Sequence, residues 1–187
     1  QALQRGVSAA AHNPIFYVSS SPWNIYDLLI DFMAFNEIPI GPLMLRDYDV
    51  NFHLRSLLSH QQHKQAQIER ILTTYPQLPF ILIGDSGQED PEIYRQVVQN
   101  FPNRILAIYI RDVTLPERAT AIQTLAKAIA AHNVEMILAA DTLAAAQHAV
   151  RQGFIAADAL SNIQTAKIKD EQAPSTAELL GEELTGS

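Results

Sequence analysis

The stretch that most constrains this fold is Phe80-Ile-Leu-Ile-Gly-Asp-Ser-Gly-Gln-Glu-Asp-Pro-Glu-Ile-Tyr94. Its first four residues are bulky and apolar, two of them β-branched, which predicts a short strand buried on both faces. Gly84 ends that strand. Asp85, Glu89 and Asp90 then crowd three carboxylates into a Gly-containing loop, and Pro91-Glu92 read as the first turn of a helix. A buried strand thereby delivers acids to the carboxyl edge of a sheet, the edge at which open α/β sheets place their ligands.

The same alternation recurs along the chain. Gln1 to Ala11 is an Ala-rich helical pattern stopped by Asn13-Pro14. Ile15–Ser19 reads as a first strand, after which Ser21 can cap a helix and Pro22 can occupy its first position. Ile25, Leu28, Leu29, Phe32 and Phe35 then form one stripe, expected to face a sheet. Leu43–Arg46 is a second strand, Asp47 to Ser56 an irregular segment, and Leu57 to Tyr75 a helix. Beyond the central strand, Pro91 to Phe101 is helical and Ile105–Ile110 is a strong strand. A helix starts at Leu115-Pro116-Glu117, a fifth strand spans Val134–Ala139, and Asp141 caps a helix that Gly153 ends. From Gln164 polar residues dominate, which predicts a flexible tail with a short helix at Thr176–Leu184. Strands alternating with helices imply an α/β, Rossmann-like three-layer fold with a parallel sheet, placed at residues 1–163, and a tail over residues 164–187.

Composition narrows the function. A net charge of −7 without a Lys/Arg cluster argues against nucleic acid and against an anionic membrane held by charge alone. The chain has no cysteine, so disulfides and thiolate metal sites are excluded. No apolar run is long enough to span a bilayer and no secretory leader is evident, so a cytoplasmic location is expected. The start at Gln1, without an initiator Met and inside a helical pattern, leads to the expectation of a piece of a longer protein.

Asp85 heads the chemical candidates, because a carboxylate just past a buried strand is well placed for a hard cation such as Mg2+. The plainer alternative is that it caps its own loop. Asp90 reads equally as a second metal ligand or as the N-cap of the helix that Glu92 enters. Ser19, Ser20 and Ser21 offer hydroxyls and free amides at a strand end and helix start, suited to a phosphate and equally to a serine-rich cap. Lys64 falls on the apolar side of its helix, four residues before Ile68, and either reaches over the sheet edge towards phosphate or snorkels to solvent. Arg46-Asp47 and Arg111-Asp112 each follow a strand; the pairs either fix loops or present Arg46 and Arg111 to an anion. His60 and His63 would need a further ligand such as His53 to hold zinc, and a polar helix start explains them better. Trp23 is read as core or pocket wall.

The stretches Tyr17-Val-Ser-Ser-Ser-Pro-Trp-Asn24, Gly41-Pro-Leu-Met-Leu-Arg-Asp47, His63-Lys64, Phe80 to Tyr94 and Ala107-Ile-Tyr-Ile-Arg-Asp-Val113 resemble, in order, the catalytic domain of the actin-patch-protein type of phosphatidate phosphatase. That family belongs to the haloacid dehalogenase superfamily, and the resemblance covers roughly Pro14 to Phe154. It implies a magnesium-dependent phosphomonoesterase acting on a phosphorylated small molecule or lipid, with peripheral contact to a membrane. Ser19 would bind a phosphate oxygen, Lys64 would steady the phosphoryl group, and Asp85 with Asp90 would form the metal site.

The superfamily's first motif, Asp-x-Asp-x-Thr, supplies the nucleophilic aspartate, and it is absent here; Asp47-Tyr48-Asp49 comes too late, after the wrong strand. The expectation is a chain truncated upstream and inactive alone, since no other carboxylate replaces the nucleophile. The alternative is a catalytically inactive phosphate-binding or regulatory domain. In the superfamily the missing strand lies between the serine strand and the acidic strand, so a weakened or altered sheet is predicted at that place.

Overall fold

The computed structural model describes residues 1–7, 12–46, 60–113 and 116–172. Within them the chain runs α1 (Ala2–Arg5), β1 (Tyr17–Pro22), a 3-10 turn (Trp23–Ile25), α2 (Tyr26–Phe35), β2 (Leu43–Arg46), α3 (His60–Thr74), β3 (Phe80–Asp85), α4 (Asp90–Asn100), β4 (Ile105–Arg111), α5 (Pro116–Ala130), β5 (Glu135–Ala139), α6 (Thr142–Arg151) and α7 (Ala159–Gln172). The α/β class expected from the alternation holds. Asp47 to Ser56 and Thr176–Leu184 lie outside the described residues.

All described strand pairs are parallel, but they form two sheets, β1-β2 and β3-β4-β5, with no hydrogen-bonded register joining β1 to β3. The sheet is thus divided between the serine strand and the acidic strand, where an altered sheet was expected. Side chains bridge the division at the amino ends: the Phe16 ring lies 6.4 Å from that of Phe80 and 5.4 Å from that of Tyr75. Val18 packs against the main core.

β4 lies between β3 and β5 and is buried on both faces, and its alternation sorts the two cores. Ile108 and Ile110 meet Leu72 of α3, Ile93, Val97 and Val98 of α4 and Ile122 and Ile129 of α5. Ala107 and Tyr109 face the other way, onto Ala146 and Ala149 of α6, with α1 and α7 joining through Leu3 and Leu160. Each fully buried isoleucine contributes about 1.5–3 kcal/mol relative to exposure, so this strand and its helices dominate the stability. On the α6 face the Tyr109 hydroxyl contacts His148 Nδ1 at 2.9 Å, and His148 Nε2 contacts Glu135 at 2.9 Å. Burial pushes the Tyr109 phenol up to about 12, with the Glu135 carboxylate adding to the shift.

Short polar devices close the elements. Asp141 accepts from Ala144 N at 2.8 Å, the expected cap of α6, and Gly153 follows that helix at φ 71°, where a side chain would be strained. Arg104 reaches back from the start of β4 to the carbonyls of Leu72, Tyr75 and Leu78, satisfying the open end of α3.

Several expectations need correction. Strand β3 is not buried on both faces: Ile83 is 62% exposed, because β3 is the edge of its sheet towards β1. Ser21 and Pro22 belong to β1, and the following helical segment begins at Trp23 with no side-chain cap. Trp23 is not core; it is 54% exposed and stacks at 4.7 Å on Tyr26. The stripe of α2 does not face a sheet, since Leu28, Phe32 and Phe35 are exposed and Met33 is the buried residue of that helix. Only Ala2–Arg5 of the first helical pattern is helical among its described residues. Past Gln164, where composition suggested a flexible segment, α7 continues to Gln172. Its anchoring supplies what its polar sequence lacks: Leu160 and Ile163 pack on the α6 face, and Lys167 pairs with Asp141 at 2.6 Å.

Candidate active site

The carboxyl ends of β3 and β4 are in register, Asp85 beside Arg111, and the segment from Ser86 to Asp90 leaves that edge to enter α4. Asp85 Oδ1 accepts from the amides of Gly87 (2.8 Å) and Gln88 (3.0 Å), so the carboxylate does fold its own turn. No hydrogen bond from the described residues falls on Asp85 Oδ2, which leaves one hard oxygen for another partner.

Asp90 does not cap α4. That position belongs to Glu89, which forms no side-chain cap bond, and Asp90 turns back over the end of β3. Its Oδ2 accepts from the Asp85 amide at 3.2 Å, and its Oδ1 meets Lys64 Nζ at 2.6 Å. Both partners are enclosed, with side chains 14% exposed for Lys64 and 4% for Asp90. The lysine therefore neither snorkels nor lies on an idle apolar face. Its ammonium also donates to Gln88 Oε1 at 3.0 Å, so helix α3, the turn and helix α4 converge on one charged cluster.

Gly84 permits that cluster. A Cβ at this position would lie 2.5 Å from Asp90 Oδ2 and 2.7 Å from Asp90 Cβ, so only a bare backbone lets Asp90 come this close. Ser86, 1% exposed, holds the other side of the turn by accepting from the Val113 amide at 2.8 Å while its own amide donates to Arg111 O. Tyr94 donates to Ile83 O at 2.7 Å beneath the site. Burial first, then the Asp90 and Asp85 carboxylates, raise its phenol well above the usual tyrosine range, so it stays a donor.

The remaining candidates divide. Lys64, Asp85 and Asp90 are brought together. The described hydrogen bonds of Ser19 and Ser21 run between those two residues, with Ser19 Oγ donating to Ser21 Oγ at 3.0 Å and accepting from the Ser21 amide at 3.1 Å. Ser20 is half-buried in the same strand, and Arg46, buried at the last position of β2, is already engaged within the fold. Arg111 is exposed at the end of β4. Among the described residues no group of three or more His, Cys, Asp or Glu side chains is arranged to hold a metal, and His53 lies outside the described residues.

Sequence reasoning missed Gln88 and Arg118. The first lies inside the acid turn as an unremarkable polar residue. The second reaches it from α5, donating to both oxygens of Glu92 at 2.6 and 2.8 Å, to Gln88 O at 3.0 Å and to Ser86 O at 3.3 Å. The Arg118 hydrogen bond holds the Glu92 carboxyl below its ordinary value against the opposing effect of burial. A contact between residues 26 apart leaves no periodic trace in a sequence.

Comparison with known proteins gives a consistent picture. The family model described as "Phosphatidate phosphatase APP1, catalytic domain" matches residues 1–112. The chain is 44% identical over 96 residues to Phosphatidate phosphatase APP1 of Saccharomyces cerevisiae, a stretch covering 51% of this chain and 16% of that protein. It is 32% identical over 101 residues to an uncharacterized protein of Schizosaccharomyces pombe, covering 53% of this chain and again 16% of the relative. The chain thus corresponds to 16% of the length of these two relatives. No solved structure matches. With well over half of its residues matched by that model, and with the motif-bearing end of β3 inside the match, the chain belongs to the family of APP1-type phosphatidate phosphatase catalytic domains.

Proposed function

We propose that this chain carries the phosphate-handling part of a magnesium-dependent phosphatidate phosphatase of the haloacid dehalogenase type, working within a longer protein. The observation that carries the reading is the enclosed Lys64–Asp90 pair beside Asp85 at the carboxyl edge of β3. Family membership and the activity for which the yeast relative is named support it.

Asp85 and Asp90 suit Mg2+ by the chemistry of their donors: hard carboxylate oxygens, with Asp85 Oδ2 open. When bound, the ion supplies neutralisation of the charge on the phosphoryl oxygens. Two carboxylates are enough, because Mg2+ completes its shell with water and phosphate. Lys64 spends two of its three N–H donors on Asp90 and Gln88 and has a third to give a phosphoryl oxygen. Ser19 would supply a hydroxyl from the β1-β2 sheet, with Ser20, Ser21 and Arg111 as further anion contacts.

The nucleophile is assigned to an upstream aspartate on a strand that would occupy the division between β1 and β3. Its carboxylate oxygen would attack phosphorus in line and displace the alkoxide, which would take its proton from the second aspartate of the Asp-x-Asp motif; water would then hydrolyse the acyl phosphate, releasing inorganic phosphate and returning the carboxylate.

The test uses the product of the complete reading frame. Phosphate release is expected from phosphatidate in mixed micelles in the presence of Mg2+, and Asp85→Asn should lower kcat roughly 100-fold or more, as loss of a charge-stabilising group at the reacting centre does. Release from soluble monoesters but not phosphatidate would replace the lipid by another phosphomonoester. No release from either, with intact phosphate binding, would make this an inactive binding domain.

A further inference from the structure

We propose that Arg118 is the positioning residue of the acid turn, fixing Asp85 and Asp90 at their working separation without touching either. The inference rests on the metal-site reading above and deepens it. One planar guanidinium anchors the segment at three places: Nε on Ser86 O, one residue past Asp85; Nη2 on Gln88 O, midway; and both terminal nitrogens on Glu92, two residues past Asp90. A fork of five fixed donors can do this, whereas a point charge on a flexible stem cannot.

The middle anchor is the informative one. The Gln88 residue whose carbonyl Arg118 holds also gives its amide to Asp85 Oδ1 and receives Lys64 on its side chain. Fixing Gln88 therefore orients the Asp85 carboxylate, keeping Oδ1 inward on the turn and Oδ2 outward, and sets the position of the Lys64 ammonium between Gln88 and Asp90. A residue that merely joined α5 to α4 would need the Glu92 contact alone. Arg118 stands beyond residues 1–112, which the family model matches, so the support of the turn comes from outside that stretch.

The experiment compares the wild-type chain, Arg118→Lys, Arg118→Gln and Asp85→Asn by amide hydrogen exchange and by calorimetric titration with Mg2+ alone. In Arg118→Gln, exchange at the Gly87 and Gln88 amides should rise about 10-fold or more while Ile108 and Ile110 stay protected, as local opening without global loss requires. Mg2+ affinity should fall about 10-fold, the scale of lost outer-shell support. Arg118→Lys, which keeps the charge but not the fork, should fall between. Unchanged Gly87 and Gln88 exchange in Arg118→Gln, with loosening confined to α5, would overturn the proposal and leave a simple interhelical staple. If wild type and Asp85→Asn bind Mg2+ alike, the metal reading fails, and the exchange measurement still decides whether Arg118 orders the turn.

Discussion

Gly84 shows how little room the acid cluster has. Its missing side chain is what lets Asp90 fold back onto the Asp85 amide, and the atoms that an added methyl would strike include Asp90 Cβ, which cannot rotate away. Gly84→Ala should therefore cost about 1–3 kcal/mol by overpacking. Urea unfolding measures this, and a change within error of zero would mean that Asp90 is free to move off β3. Asp85 stood out as a candidate because three carboxylates cluster at the end of an apolar run. That Oδ1 folds the turn while Oδ2 stays open was not legible, since two readings of one carboxylate differ only in which oxygen is used. Lys64 stood out as a charge among apolar positions, while its partner Asp90 was invisible as such, because the pair spans two helices 26 residues apart.

At the scale of elements, period and capping residues placed every described strand and most helices within a few residues. The failures share a cause. The stripes of α2 and the β-branched run of β3 were read as buried, yet Phe35 is 89% exposed and Ile83 62%, because periodicity reports which face is apolar and not whether a neighbour covers it. Helix α7 is the converse case, a polar segment held by tertiary contacts. The Lys167 hydrogen bond lowers the Asp141 pKa from its ordinary 3.8, with the Ala144 amide assisting. Because the folded value is the lower one, the contact contributes fully above pH 3.8 and is lost as pH falls through the depressed value. Carboxyl carbon NMR should find Asp141 titrating below the ordinary range, and Lys167→Met should remove most of the shift. An ordinary value in the unaltered chain would remove this link between α6 and α7.

For the whole molecule, the dominant feature is a sheet in two parts. The larger part buries β4 on both faces under helices and leaves β3 as an open edge; the smaller, β1-β2, meets it through Phe16, Val18 and helix α3. The parallel α/β class was legible from alternating strands and helices, and the division falls between the serine strand and the acidic strand, where an altered sheet was expected. The proposed function requires the serine strand and the acidic strand to act on one ligand across this division. Mn2+, which takes the same oxygen ligands as Mg2+ and broadens nearby NMR signals, tests that requirement on the labelled chain in the presence of inorganic phosphate. Selective broadening is expected at Gly84–Asp90 and Lys64 together with Ser19–Ser21, abolished by Asp85→Asn. Broadening that is absent at Gly84–Asp90, or that spares Ser19–Ser21 altogether, would contradict the proposed function.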